Sequence, residues 1–220
     1  TALIAGEAAT VTFNSGLFDI QVTQGTDGDP LNGGTAILHN GTTTGPASST
    51  AGDNHRVYMV AVPKNTAITL SIIGGGPLGF DVAGAADVVG NAVILSAGHN
   101  VGGDAIALAP ASPIAANLIV DNATVTSALT ARASNNLNLT TFSGNASYAG
   151  DVMLSAGVAP RIDAQNGFAL DFARNVRLIS NNIAPGADAS DRTAGNAVFQ
   201  VSAGSTANVG GDLTITANAT

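Results

Sequence analysis

The sequence predicts an all-β protein, a right-handed parallel β-helix (β-solenoid) of roughly 20 residues per coil. Three observations predict it. Apolar and polar residues alternate with period two at many places, Gly- and Asn-rich breaks separate these runs, and short motifs recur along the chain.

The alternation is the signature of strands with one buried face. Phe18, Ile20 and Val22 alternate with Asp19, Gln21 and Thr23, and Ile68, Leu70 and Ile72 alternate with Thr69 and Ser71. Leu137 and Leu139 flank Asn138, Phe168, Leu170 and Phe172 flank Ala169 and Asp171, and Leu213 and Ile215 flank Thr214. No stretch carries a helical period; the best candidate, residues 83–86, is too short and has Gly84 inside it.

The recurring motif is clearest in the second half. Gly90-Asn91-Ala92-Val93 with Ser96-Ala97-Gly98 returns as Gly195-Asn196-Ala197-Val198 with Ser202-Ala203-Gly204. Asn-Val-Gly-Gly-Asp follows each, ending at Asp104 and Asp212, and a degenerate copy runs from Gly150 to Gly157. The Gly-Asp pairs at 104, 151 and 212 are spaced as two and three units of roughly 20 residues. A unit that short cannot bury its apolar face alone, so neighbours must stack. Coils advancing by about 4.8 Å would make roughly ten layers and a rod of about 50 Å. The side chains expected to point inward are Val93, Leu95, Ile106, Leu108, Leu137, Leu139, Leu154, Leu170, Phe172, Leu178, Leu213 and Ile215.

Two regions are expected. Residues 57–220 form the β-helix repeat region. Residues 1–56 form an irregular β region with loop excursions, at 25–34 and 40–54, continuous with the solenoid. A further break falls at 74–77.

Composition agrees with thin, repetitive layers. Hydrophobic residues make up 45% of the 220, but aromatics only 4%, so the core is built from aliphatic side chains. Charged residues are 10%, with Glu7 the single Glu and Lys64 the single Lys, which excludes long solvated helices and a charge-rich disordered chain. A net charge of −8 without any basic run excludes nucleic acid as a partner. The absence of Cys excludes disulfides and thiolate metal sites, and no apolar run is long enough for a membrane-spanning helix. Residues 1–10 lack the basic and apolar regions of a signal peptide, so the chain reads as a mature product or a segment of something longer.

Candidate chemistry is sparse. Asp27-Gly28-Asp29 opens like an oxygen-ligand loop, making Asp27 and Asp29 the candidate metal ligands and calcium the candidate ion. The further carboxylates of such a loop are missing, and Asp-Gly is equally turn chemistry, so no cofactor is expected otherwise. Asp163, Asp171 and Arg174, flanked by Arg161 and Arg177, are the nearest approach to an acid–base cluster, with a solvated outer-face ion pair as the plainer reading. His39, His55 and His99 lack metal-ligand spacing and are expected in exposed turns. Turn asparagines such as Asn100, Asn135, Asn136 and Asn208 suit left-handed turns or stacked ladders between coils.

The stretch from Val57 to Thr66 (VYMVAVPKNT), with Phe80 to Ala86 (FDVAGAA), Val93 to Gly98 (VILSAG) and the repeated Asn-Val-Gly-Gly-Asp, resembles filamentous-haemagglutinin-type large exoproteins. The resemblance covers most of 57–220. It implies a secreted, extracellular protein of the bacterial cell surface, exported by an outer-membrane partner transporter and folded outside as a right-handed parallel β-helix. The family's amino-terminal secretion motif is missing, so the resemblance is to the shaft. The implied function is structural and adhesive, in adhesion, aggregation or biofilm formation, without enzymatic activity. The implied partners are neighbouring repeats or identical chains end to end, and host or bacterial surfaces. The alternatives are a carbohydrate-active β-helix enzyme and a surface-binding module using flat Thr arrays.

Overall fold

The computed structural model describes residues 1–46, 54–74, 76–81, 91–181 and 196–217. Gly75, Gly90, Gly195 and the 83–86 stretch, on which parts of the sequence expectations fall, lie outside the described residues.

The chain passes repeatedly through three sheets. The first pass holds β1 (Ala2–Ala5), the excursion strands β2 (Ala8–Asn14) and β3 (Leu17–Gln24), then β4 (Thr35–His39) and β5 (Thr43–Gly45). The next holds β6 (Arg56–Ala61), β7 (Ile68–Ile73) and β8 (Pro77–Phe80). The third holds β9 (Ala92–Ala97), a second excursion of β10 (Val101–Gly102) and β11 (Ala105–Ile106), then β12 (Ala116–Asp121) and β13 (Thr124–Val125). It is followed by β14 (Ala128–Ala133), β15 (Asn136–Thr140) and β16 (Ala146–Tyr148). Then come β17 (Val152–Ala156), β18 (Ala159–Ala164) and β19 (Ala169–Phe172). The last strands are β20 (Val176–Ser180), β21 (Val198–Val201), β22 (Thr206–Val209) and β23 (Leu213–Ala217).

Pairing is parallel within each main sheet. The first sheet is β1-β6-β9-β14-β17-β20-β23, the second β4-β7-β12-β15-β18-β21, and the third β5-β8-β13-β16-β19-β22. Each strand pairs with its counterparts in the preceding and following passes, an all-β arrangement of parallel sheets consistent with a β-solenoid. No α-helix occurs among the described residues. The sheets are seven, six and six strands deep rather than about ten, because excursions and long connections consume chain between rungs.

Register puts like on like. In the first sheet Met59, Leu95, Ala131, Leu154 and Leu178 are consecutive partners, all buried. In the second, Leu70, Leu118 and Leu137 stack; in the third, Leu78, Val125, Tyr148 and Phe172 do. These columns form one continuous core. Tyr148 and Phe172 stack with ring centroids 5.0 Å apart and planes 21° from parallel, an arrangement that adds to area burial.

A second core lies outside the first sheet. β2 and β3 form an antiparallel hairpin, and β3 pairs antiparallel with β10, which pairs with β11. This four-stranded sheet buries Ile20, Val22, Val101 and Ile106 against Tyr58, Val60, Val62 and Ile94. The run Val57-Tyr58-Met59-Val60-Ala61-Val62 is therefore apolar without alternation because both of its faces are covered.

Corner residues stitch the rungs. Ser134 Oγ accepts from Ala116 N at 3.0 Å, Ser180 Oγ donates to Val158 O at 2.8 Å, and Asn135 Nδ2 donates to Asn117 Oδ1 at 2.9 Å. At the corner between the third and first sheets, Asn175 Nδ2 donates to Asp151 Oδ1 at 3.1 Å and Asp212 N donates to Asn175 Oδ1 at 2.8 Å. Gly98 has φ +88° and lies so close to Ser134 that a Cβ would sit 2.8 Å from the Ser134 Cβ, so glycine is required.

Several expectations need correction. Leu108 is 79% exposed, since it lies in the connection after β11 and belongs to no strand. Ile106 is buried, but under the excursion sheet and not in the stack. Leu213 and Ile215 occupy inward columns, as partners of Val176 and Leu178, yet are 43% and 46% exposed because β23 is the edge strand of the first sheet among the described residues. The near-identical copies at 92 and 197 are not equivalent: β9 lies in the first sheet and β21 in the second. The degenerate copy is the equivalent one, since Val93 to Ala97 and Val152 to Ala156 occupy the same columns through β14. Asp151 and Asp212 share a corner two rungs apart, not three, whereas Asp104 belongs to the second excursion and pairs with Arg56.

The largest residue among those with a buried, unpartnered polar atom is Tyr148. The Tyr148 hydroxyl is enclosed by the core without a hydrogen bond, and burial pushes the phenol's pKa up. Removing it relieves an unsatisfied polar group while keeping the ring stack. Tyr148→Phe is therefore expected to raise unfolding stability by about 1 kcal/mol, read from the midpoint of urea denaturation; a comparable loss would show that the hydroxyl has a partner in solution.

Candidate functional site

Outward-facing residues of a stacked parallel sheet fall into columns, and on the second sheet these columns line a groove. Ile119, Asn138 and Arg161 are consecutive register partners, and so are Ile73, Asp121, Thr140 and Asp163. With Phe142 and Gln165 they enclose about 500 Å³. The strands fix the spacing along the groove, and the connection after β15 carries Phe142 to its side, where the ring is 62% exposed.

Both carboxylates are buried although they face outward. Asp121 accepts from Ser143 Oγ at 2.6 Å and Ser143 N at 3.3 Å. Asp163 Oδ2 accepts from Arg161 Nη2 at 3.0 Å, and the same Nη2 donates to Gln200 Oε1 at 2.8 Å. Gln165 Nε2 donates to Thr140 Oγ1 at 2.7 Å. Asp163 Oδ1 is buried without any donor. The carboxylates stand two rungs apart, about 10 Å by strand spacing.

Asp163 and Asp171, the carboxylates of the nearest approach to an acid–base cluster in the sequence, lie on different sheets. Asp163 faces out from the second sheet, Asp171 from the third, and Arg177 from the first. Asp171 Oδ1 instead accepts from Asn208 Nδ2 at 2.7 Å, one rung along its own column. Asp121, Thr140, Phe142 and Gln165 were not singled out by sequence reasoning. A signal was present: Val120-Asp121, Leu139-Thr140 and Ile162-Asp163 each place a polar residue directly after an inward aliphatic one in the second-sheet strand.

Asp27 and Asp29 lie in the connection between the first excursion and β4, and each is engaged by protein donors. Asp27 Oδ1 accepts from Asn65 N at 2.8 Å and Thr66 N at 3.1 Å, and Oδ2 from Asn65 Nδ2 at 3.0 Å. The Asn65 amide foremost, with these backbone groups, holds the Asp27 carboxyl below the usual carboxylate range. Asp29 caps the 3-10 turn Pro30–Asn32, accepting from Leu31 N at 2.9 Å. No group of three or more His, Asp or Glu gathers among the described residues.

The histidines are not in exposed turns. His39 and His99 are buried, and His55 is half-buried with its ring 5.4 Å from that of Phe80. His99 is enclosed by the 107–115 connection, with Nδ1 3.2 Å from Ala109 O. Burial, and then the Arg132 guanidinium, push its pKa from 6.5 down to about 4. No protein-family model, curated protein or solved structure matches this chain.

The buried imidazole sets a pH dependence. Because His99 titrates near 4 when folded and near 6.5 when unfolded, the unfolded chain takes up the proton first as pH falls. The stability it contributes is complete above pH 6.5, declines between 6.5 and about 4, and then levels off. The decline is expected to be on the order of 3 kcal/mol. Urea midpoints measured across this range should fall for the parent chain and be markedly flatter for His99→Gln; identical profiles would place the imidazole in solvent.

Proposed function

We propose that this chain is a shaft segment of a secreted fibre of the bacterial cell surface, similar to filamentous-haemagglutinin-type exoproteins, serving adhesion, aggregation or biofilm formation. In this reading the parallel sheets form a right-handed β-helix and an outer-membrane partner transporter exports the chain. The smallest step between register partners of adjacent rungs is from Leu118 to Leu137.

One observation carries the reading. Among the described residues the inward column Leu3, Met59, Leu95, Ala131, Leu154, Leu178 and Ile215 is buried at its five central positions and partly exposed on the two edge strands, where Leu3 is 39% and Ile215 46% exposed. Apolar end rungs with free strand edges are the surface onto which another coil stacks. The enzyme reading has less support, because the carboxylates sit on different faces or are held by donors.

End-to-end association tests the proposal. Sedimentation velocity and negative-stain microscopy of the chain should show concentration-dependent rods, and Leu213→Asp combined with Ile215→Asp should leave monomers. A chain that stays monomeric at every concentration contradicts the reading.

A further inference from the structure

We propose that the groove on the outer face of the second sheet binds a neutral oligosaccharide laid along the stacking direction. The inference goes beyond the fibre reading and does not depend on it, since the groove lies on the flank of the stack and not at its ends.

Shape and chemistry point to this ligand. Rungs repeat every 4.8 Å or so, close to the length of one pyranose unit, and the groove draws on four consecutive rungs, β7, β12, β15 and β18. About three or four sugar units therefore meet equivalent positions one after another. Phe142 and Ile73, 62% and 42% exposed, offer apolar surface to the C–H faces of sugar rings. Asn138, Thr140 and Gln165 supply amide and hydroxyl groups that both donate and accept, as sugar hydroxyls require.

The decisive atom is Asp163 Oδ1. Asp163 lines the groove and is only 9% exposed, and this oxygen is buried beside the groove without a donor. A buried charged acceptor left without a donor is costly, and a turn of the carboxylate that brings this oxygen to a ligand hydroxyl in the groove recovers that cost.

Charge excludes the nearest competitors. Two carboxylates against one guanidinium leave the groove acidic, so uronates and sialylated glycans are repelled. A divalent cation is poorly served. Asp121 already takes two donors from Ser143 and Asp163 Oδ2 takes Arg161, whereas calcium requires six to eight oxygens.

The test is calorimetric titration of the intact chain with cellotetraose, maltotetraose, mannotetraose, tetragalacturonate and calcium chloride. At least one neutral tetrasaccharide is expected to bind, with tetragalacturonate and calcium silent. Phe142→Ala and Asp163→Asn are each expected to weaken binding about tenfold. Phe142→Ala alters an exposed side chain and keeps the test decisive if Asp163→Asn misfolds. The proposal is overturned if no neutral tetrasaccharide binds, if tetragalacturonate binds more tightly, if calcium alone binds and Asp163→Asn abolishes it, or if neither substitution changes sugar affinity. Sugar binding by a chain that never associates would remove the fibre reading and leave this one standing.

Discussion

Everything in this molecule depends on in-register parallel pairing between passes. A rung's backbone N–H and C=O groups are satisfied mainly by the rungs before and after it, so each pass must return to the same three sheets with the same alignment. That alignment determines the rest. Inward residues meet inward residues, which is why Leu70, Leu118 and Leu137 or Tyr148 and Phe172 lie in line. Outward residues are equally forced into columns, and a groove such as that of Asp121, Thr140 and Asp163 is a consequence of the same constraint. A slip of one residue in any rung would send its apolar set to solvent.

The excursions respect this constraint by leaving at one corner. Both depart between the first and second sheets, after β1 and after β9, two rungs apart. They fold back over the same face and meet through β3 and β10, above β6. The few charges of the chain help fix them. Glu7, beside the first excursion, pairs with Lys64 at 2.7 Å, and Asp104, in the second, pairs with Arg56. The Glu7–Lys64 pair is exposed and supplies orientation more than stability, the second pair joins a buried Arg56 side chain to an exposed Asp104, and the apolar cluster beneath supplies the adhesion between sheet and stack.

Alternation made much of this legible from sequence. Val93, Leu95, Leu137, Leu139, Leu154, Leu170, Phe172 and Leu178 all lie in the stacked core, because period two is a local property that pairing preserves. Ala105-Ile106-Ala107-Leu108 shows the limit: it alternates, but Ile106 serves a short excursion strand and Leu108 lies in a connection. The repeat misled for a related reason. In a chain rich in Ala, Val, Ser and Gly, the similarity of Ala92–Val93 to Ala197–Val198 reports strand chemistry and not rung position. The groove was hidden because Asp121 and Asp163 come together only through register across two rungs, whereas Asp163 and Asp171, neighbours in sequence, are parted by a corner. The burial of His99 depends on a connection packing back over it, which no local pattern reports.

The most direct test of the pairing scheme uses the absence of native cysteine. Ser147 and Asp171 are register partners on the outer face of the third sheet, as are Asp171 and Asn208, although the latter pair is far apart in sequence. Neighbouring strands lie about 4.8 Å apart, within the span a disulfide bridges. The variants Ser147→Cys with Asp171→Cys, and Asp171→Cys with Asn208→Cys, should each form an intramolecular disulfide under mild oxidation, whereas Ser147→Cys with Thr214→Cys, on different sheets, should not. Failure of both in-register pairs to crosslink, or equal crosslinking of the control, would contradict the stacked parallel register on which the whole account rests.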